Sequence, residues 1–331
     1  MKPFQNYIVI KTDTMFNDKF QFKGKHGETL VLDPSFDPQK HVRIYGEVVS
    51  LPAQLTKIPI MQEHRGSPSG DSSPFEYRFL SDVCDEVQVG SRIYFHFNCI
   101  SMKNCVKEEG EHPNRTWYFK IRYDQVICAV KDNQIIPISS YVLVDPDFET
   151  WDDILVPVMS LLKDADGNFI PKPKDQWIQK KVRPEYKYLT AFVRHVGNPL
   201  RGDKCEVEVG QKIWYRRNAD WMNTIEGKDY FAIRQRHIVA KEVDGKFVPI
   251  RGHLLVIPEE MPNETPAGII LKNKMSRKGV VFAPGDSNYP EGTRVVFGES
   301  DRQEIELQGT KYLLIKKGDV WATHERNAKP L

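Results

Sequence analysis

Gly197-Asn-Pro-Leu-Arg-Gly202-Asp-Lys204 has two glycines with four residues between them, the spacing of a phosphate-cradling loop. Such a loop needs a lysine directly after the second glycine, then a Ser or Thr, and a helix N-terminus to receive the phosphates. Asp203 stands where the lysine belongs and Lys204 where the hydroxyl belongs, and both flanks read as strands, so a hairpin turn is expected. The embedded Arg201-Gly202-Asp203 triplet adds nothing specific. His96, Cys99 and Cys105 are metal-ligand types, but a fourth ligand and the paired C-x-x-C spacing are missing. His96 alternates with Tyr94 and Asn98 opposite Phe95 and Phe97, which reads as a rim histidine on a strand. Trp214, Tyr215, Arg216, Arg217 and Trp221 mix cations and aromatics as stacking platforms for single strands do. The same residues also make an ordinary amphipathic strand followed by a polar loop. No serine has a Ser-His-Asp context or a nucleophile elbow, and no G-x-G-x-x-G follows a strand. The sequons Asn114-Arg-Thr and Asn263-Glu-Thr are of a kind that arises often by chance. No catalytic, metal or cofactor site is expected, and the chain is not expected to be an enzyme.

The elements that would have to carry any such chemistry are strands. Pro (22) and Gly (21) punctuate short β-branched and aromatic runs across 331 residues, and Asp152–Lys163, the nearest approach to a helical period, is broken by Pro157. Hydrophobic residues make up 40% and charged residues 28%, a globular composition. The net charge of +2 argues against a nucleic-acid or membrane partner. The N-terminal apolar run is too short for a signal peptide and no stretch nears a membrane span. With five cysteines, an odd and loosely spaced set, a reducing cytoplasmic location is expected.

Three phrases recur in one order, three times. The opening phrases are Asn6–Lys11, Ser140–Pro146 and Gly252–Pro258. Val87–Phe95, Val207–Tyr215 and Tyr289–Phe297 follow, each with a glycine (Gly90, Gly210, Gly292) ahead of a strand. Tyr118–Val130, Tyr230–Val243 and Tyr312–Glu325 close each unit, and each leads to an alanine, Ala129, Ala240 or Ala322. Gly210 lies 20 residues before Tyr230 and Gly292 lies 20 before Tyr312, whereas Gly90 lies 28 before Tyr118, which marks an insertion. The chain is expected to be three copies of one β-unit, at 1–139, 140–251 and 252–331, joined by short structured junctions. Larger insertions fall at 52–85, where Met61–Pro74 reads as an exposed loop, and at 151–184.

The third unit resembles the GroES co-chaperonin family. Leu254–Pro258 (LLVIP) matches its first strand, Thr265–Leu271 (TPAGIIL) its mobile loop, and Gly279–Gly285 (GVVFAPG) its Gly-x-Val-x-Ala-x-Gly turn. Glu291–Phe297 and Tyr312–Ala322 match its closing strands, and in the first two units only the opening, Gly-turn and closing phrases match. The resemblance implies an all-β fold of three tandem GroES-like small barrels with loop insertions. It also implies a chaperonin ring as partner, docked by a loop whose ordering costs entropy and so keeps binding transient.

The partner-binding residues carried over are Ile269, Ile270 and Leu271 as the apolar tip, with Gly268 allowing the turn before it. Leu30, Val31 and Leu32 hold the analogous slot in the first unit, and Ile154–Val156, within Ile154–Leu162, the slot in the second. A homo-oligomer is expected. Three fused units do not divide into a sevenfold ring, and a three- or six-position assembly suits them better. The alternative, from a different class, is a non-enzymatic structural or assembly protein of a virion or other large complex that reuses the barrel as architecture.

Overall fold

The structure, a computed structural model, describes residues 6–15, 42–52, 55, 58–59, 77–78, 86–111, 115–138, 140–148, 152–156, 159–163, 169–171, 173–174, 177–182, 189–198, 205–216, 219–259, 276–298, 303–307 and 309–324. Within them every long element is a strand and every ladder is antiparallel. The first third holds β1 (Tyr7–Thr12), β2 (Tyr45–Ser50), β3 (Ile58–Pro59), β4 (Tyr77–Arg78), β5 (Arg92–Phe95), β6 (Cys105–Glu109), β7 (Thr116–Arg122), β8 (Val126–Lys131) and β9 (Gln134–Pro137). The middle third holds β10 (Tyr141–Pro146), β11 (Asp152–Val156), β12 (Met159–Lys163), β13 (Phe169–Pro171), β14 (Ile178–Val182), β15 (Leu189–Val196), β16 (Lys212–Tyr215), β17 (Asp220–Ile225), β18 (Lys228–Arg234), β19 (Ile238–Val243) and β20 (Lys246–Pro249). The last holds β21 (His253–Pro258), β22 (Lys278–Ala283), β23 (Arg294–Phe297), β24 (Gln303–Leu307), β25 (Thr310–Lys316) and β26 (Val320–His324).

Three large sheets result, with orders β6-β7-β1-β2-β5-β8-β9, β17-β18-β10-β15-β16-β19-β20 and β24-β25-β21-β22-β23-β26. Position by position these are one order, and the recurring phrases explain it. Each opening phrase begins with a left-handed residue, Asn6 (φ 67°), Ser140 (φ 60°) or Gly252 (φ 73°). Its carbonyl accepts from the start of a single 3-10 turn, at Tyr123, Gln235 and Lys317. Gly90, Gly210 and Gly292 sit at φ 82–90°, which a side chain adopts only with strain. Their N–H groups donate to Val48, Val193 and Val281 over 2.8 Å in each sheet. Bulges recur too, opposite Val9/Ile10, Leu143/Val144 and Leu255/Val256, and again at Tyr94/Phe95, Trp214/Tyr215 and Val296/Phe297. A bulge bends the strand that carries it, which lets each sheet wrap a core of its own.

Those cores are distinct. Ile8, Ile10, Ile93, Phe95, Phe119 and Ile121 are at most 1% exposed in the first. Val142, Val144, Ile213, Tyr215 and Ile233 fill the second, and Leu254, Val256, Val281, Phe297 and Ile315 the third. Two further apolar clusters lie between sheets. Tyr94, Ile127 and Cys128 of the first sheet meet Tyr141, Leu143, Ile225, Tyr230 and Ala232 of the second. Trp214, Val239 and Ala240 of the second meet Leu255, Ile305, Tyr312 and Leu314 of the third. The junction strands β9 and β20 pair with β8 and β19 while touching the following sheet. There the carbonyls of Pro137 and Pro249 would lie 2.7 and 2.6 Å from a Cβ on Gly197 and Gly285, so both positions require glycine.

The structure shifts one alignment. The bulges pair Cys128 with Tyr94, Ala240 with Trp214 and Ala322 with Val296, so Cys128, not Ala129, is the counterpart of Ala240 and Ala322. A gapless count from Tyr118, Tyr230 and Tyr312 gives the same answer, ten residues on in each case, and matching alanine to alanine slips the first unit by one residue. Asp152–Lys163 is two strands, β11 paired with β14 and β12 with β13, in a double ribbon that makes up the described part of the 151–184 insertion. In the 52–85 insertion the described strands are the short β3–β4 pair, and Met61–Pro74 lies outside the described residues.

Candidate functional site

Each sheet has a long connection between its first and second strands, and the roots of these connections share one register. In the third sheet β21 and β22 run together to Pro258 and Gly279, and the Glu259 N–H donates to the Lys278 carbonyl at 2.9 Å. A Cβ on Gly279 would sit 2.3 Å from Val256 Cγ1 and 2.5 Å from the Ile257 carbonyl, so the strands close on each other only because residue 279 has no side chain. Ser276 Oγ donates to the Lys278 carbonyl at 2.8 Å and accepts from its N–H, which ties down the returning arm. The register puts Gly46 and Ala191 at the same point of the other sheets, small residues in all three. At the first root Arg43, 8% exposed, pairs with Asp13 at 2.9 Å and lies over the Tyr45 ring. At the second, Asp147 is buried and accepts from Thr190 at 3.0 Å and from Lys212 at 2.8 Å. The three roots thus flank three segments of different sequence.

The tip residues Gly268, Ile269, Ile270 and Leu271, and Leu30, Val31 and Leu32 in the first slot, lie outside the described residues. Their flanks are the roots just described. In the second slot Ile154–Val156 belongs to β11, with Leu155 62% exposed on the ribbon.

The residues first weighed for other chemistry are dispersed by the fold. Trp214 lies in the seam between the second and third sheets, its ring 4.8 Å from Phe247. Tyr215 is in the second core, and Trp221 packs edge-on against His96 at 4.1 Å. No shared stacking face forms from the three. His96 is not mid-strand: it follows β5 and caps a 3-10 turn, its Nδ1 accepting from the Asn98 N–H at 3.2 Å. Cys99 is buried, and burial pushes its thiol well above the ordinary range, as it does for Cys128 in the seam. Cys105 lies part-exposed in β6. Among the described residues no three His, Cys, Asp or Glu side chains gather as metal ligands, and Cys99, Cys105, Cys128 and Cys205 are free thiols. Gly197 serves close packing rather than a phosphate, and residues 199–204 lie outside the described set.

Sequence reasoning missed the seams. Tyr94, 4% exposed, has its hydroxyl on Glu226 Oε1 at 3.0 Å, which also receives Arg92 at 2.9 Å across from the other sheet. Arg234, 5% exposed, donates to the Tyr141 hydroxyl and to the Asp124 carbonyl. The available signal was Tyr94 and Phe95 side by side, apolar on both faces of one strand.

The third sheet, wrapped on its own core with its longest connection sprung from a glycine-closed root between its first two strands, has the form of a small β-barrel of the co-chaperonin type. The family model described as Chaperonin 10 Kd subunit matches residues 246–324, the whole third sheet with its slot. Co-chaperonin GroES of Bacteroides fragilis is 31% identical over 83 residues, 22% of this chain and 92% of that protein. Co-chaperonin GroES of Porphyromonas gingivalis is 32% identical over 83 residues, with 93% of it covered, and that of Holospora obtusa 29% over 92 residues, with 96% covered. The chain belongs to the GroES co-chaperonin family, a relationship carried by its C-terminal quarter. No helix among the described residues is long and apolar enough to cross a membrane.

Proposed function

We propose that this protein is a co-chaperonin that docks on a chaperonin ring through the apolar tip Gly268–Leu271 and assists protein folding. The observation that carries the reading is the match over 246–324, which takes in nearly the full length of relatives named co-chaperonin and includes the loop slot. The closed root at Gly279 supports it, since a rigid base and a short apolar tip suit reversible docking: the tip buries apolar surface and the loop loses entropy. Leu30–Leu32 in the first slot is a second docking tip, and the three units at 1–139, 140–251 and 252–331 are GroES-like copies. The protein acts without catalysis of its own, in the cytoplasm, as a homo-oligomer.

Capture on a chaperonin, with and without nucleotide, tests this reading. Ile270→Asp is expected to abolish nucleotide-dependent capture while the melting temperature stays within about a degree, because a carboxylate cannot enter an apolar groove without a cost of several kcal/mol. Capture that persists in Ile270→Asp, or its absence in the unaltered protein, sinks the proposal. The second reading, an assembly protein that uses the barrels as architecture, is favoured by the β11–β14 and β12–β13 ribbon in the slot of the second sheet. It predicts no capture, together with incorporation into a larger particle.

A further inference from the structure

The 3-10 turns after β7 and β18 each send one side chain toward the residues ahead of the glycine turn of the same sheet. In the first sheet it is Tyr123, whose hydroxyl donates to Glu86 Oε2 at 2.7 Å. In the second it is Gln235, 1% exposed, while the glutamate at the matching place, Glu206, pairs with Arg251 at 3.2 Å. Gln235 Nε2 donates to the Gly197 carbonyl at 3.0 Å and to Cys205 Sγ at 3.6 Å. A carbonyl only accepts, so the N–H end of the carboxamide must face Gly197. Its Oε1 is left buried with no hydrogen bond among the described residues. An acceptor buried in this way is destabilising until a donor reaches it.

Cys205 differs from the other described cysteines in both access and partner. It is exposed, whereas Cys99 and Cys128 are buried and Cys105 is part-exposed. Its thiol donates to the Val207 carbonyl at 3.2 Å, which holds the sulfur beside the Gln235 carboxamide. Cys105 Sγ meets the Lys107 carbonyl at 3.6 Å and receives no N–H among the described residues. A sulfur that accepts an N–H is better placed to carry negative charge, and an exposed thiolate is the form that oxidants attack.

We infer that Cys205 is a peroxide-modified site, and that the Gln235 carboxamide receives the sulfenic acid formed there. The Cys205 thiolate attacks one oxygen of a hydroperoxide. An S–O bond forms, the O–O bond breaks, sulfur is oxidised by two electrons and the other oxygen leaves with them. The proton lost by the thiol ends on that leaving oxygen, so the products are Cys205–SOH and water, or an alcohol from an organic peroxide. The new group then meets both ends of the carboxamide: its oxygen accepts from Nε2, and its O–H is the donor that Oε1 lacks. The inference is independent of chaperonin docking, because its test contains no chaperonin.

Pulses of hydrogen peroxide on the full chain, with dimedone to trap sulfenic acid and mass spectrometry to read each cysteine, give the rates site by site. Cys205 is expected to form the adduct about tenfold faster than Cys105 or more, with Cys99 and Cys128 unlabelled in the folded chain. Gln235→Met keeps the length of the side chain and removes both polar ends, and should bring Cys205 down to the rate of Cys105. Gln235→Glu keeps an oxygen but removes the N–H, and should do the same. Label on Cys99 and Cys128 would identify a variant that has lost its fold, and the other variant then decides. A Cys205 rate no greater than that of Cys105 overturns the proposal. So does a fast Cys205 that ignores the change in a folded variant, since exposure alone would then be the cause.

Discussion

A methyl group at position 279 would lie 2.3 Å from Val256 Cγ1 and 2.5 Å from the Ile257 carbonyl. Backbone cannot yield as the end of a flexible side chain can, so Gly279→Ala must part β21 from β22 at the base of the third slot. It is expected to cost about 1–3 kcal/mol, measured by denaturant unfolding. Gly90→Ala is the control: it meets no atom within 4 Å and pays only for φ 88°, about 1 kcal/mol. Equal losses for the two would show that the root is not close-packed. Sequence marks both glycines, Gly90 through its recurrence ahead of a strand and Gly279 through the family's Gly-x-Val-x-Ala-x-Gly turn. What it does not carry is their difference in cause. A left-handed dihedral is a local property, whereas the crowding at Gly279 comes from a strand more than twenty residues away.

Strands and their order follow from short-range pattern more fully than faces do. The opening, glycine-turn and closing phrases each became the same element in all three sheets, because alternation, turn glycines and β-branched runs act within a few residues. Residue type is a poorer guide than spacing, as the shift from Ala129 to Cys128 shows. The bulge falls at the same place in all three units, ten residues after Tyr118, Tyr230 and Tyr312 come Cys128, Ala240 and Ala322, and a one-residue slip moves a side chain to the other face. Seam positions differ from surface positions only by what covers them. Val239 in β19 and Trp321 in β26 are the same register position, one 0% and the other 65% exposed. Val239→Asp is therefore expected to destabilise by about 3 kcal/mol or more through an unpaired buried charge. Trp321→Asp in a single chain should change stability by no more than about 0.5 kcal/mol. Similar effects from the two substitutions, in parallel urea titrations, would contradict the assignment of the seam.

At the scale of the whole molecule, the described residues form three cores joined by two seams whose members are as buried as the cores themselves. Leu143, Ile225 and Ala232 are 0% exposed in one seam and Val239, Leu255 and Leu314 in the other. Separating the sheets would expose these residues, at about 1.5–3 kcal/mol for each large side chain, so no sheet gains by unfolding ahead of its neighbours. Calorimetry of the full chain should show one transition with matching calorimetric and van't Hoff enthalpies. Three resolved transitions would mean that the seams are weak.

The sequence alone determined the all-strand class, the threefold recurrence of phrases and the family membership of the last unit. Each of these is written in local pattern: turn glycines, alternation, and a string of motifs at fixed spacing. Tertiary structure decided which second faces are covered. Tyr94, Cys128 and Ala240 are interior only because another sheet lies against them, and Trp321, in the same kind of phrase, is exposed because none of the described sheets does. Coverage of a second face depends on contacts between residues far apart in sequence, and a strand's own residues do not specify its partner.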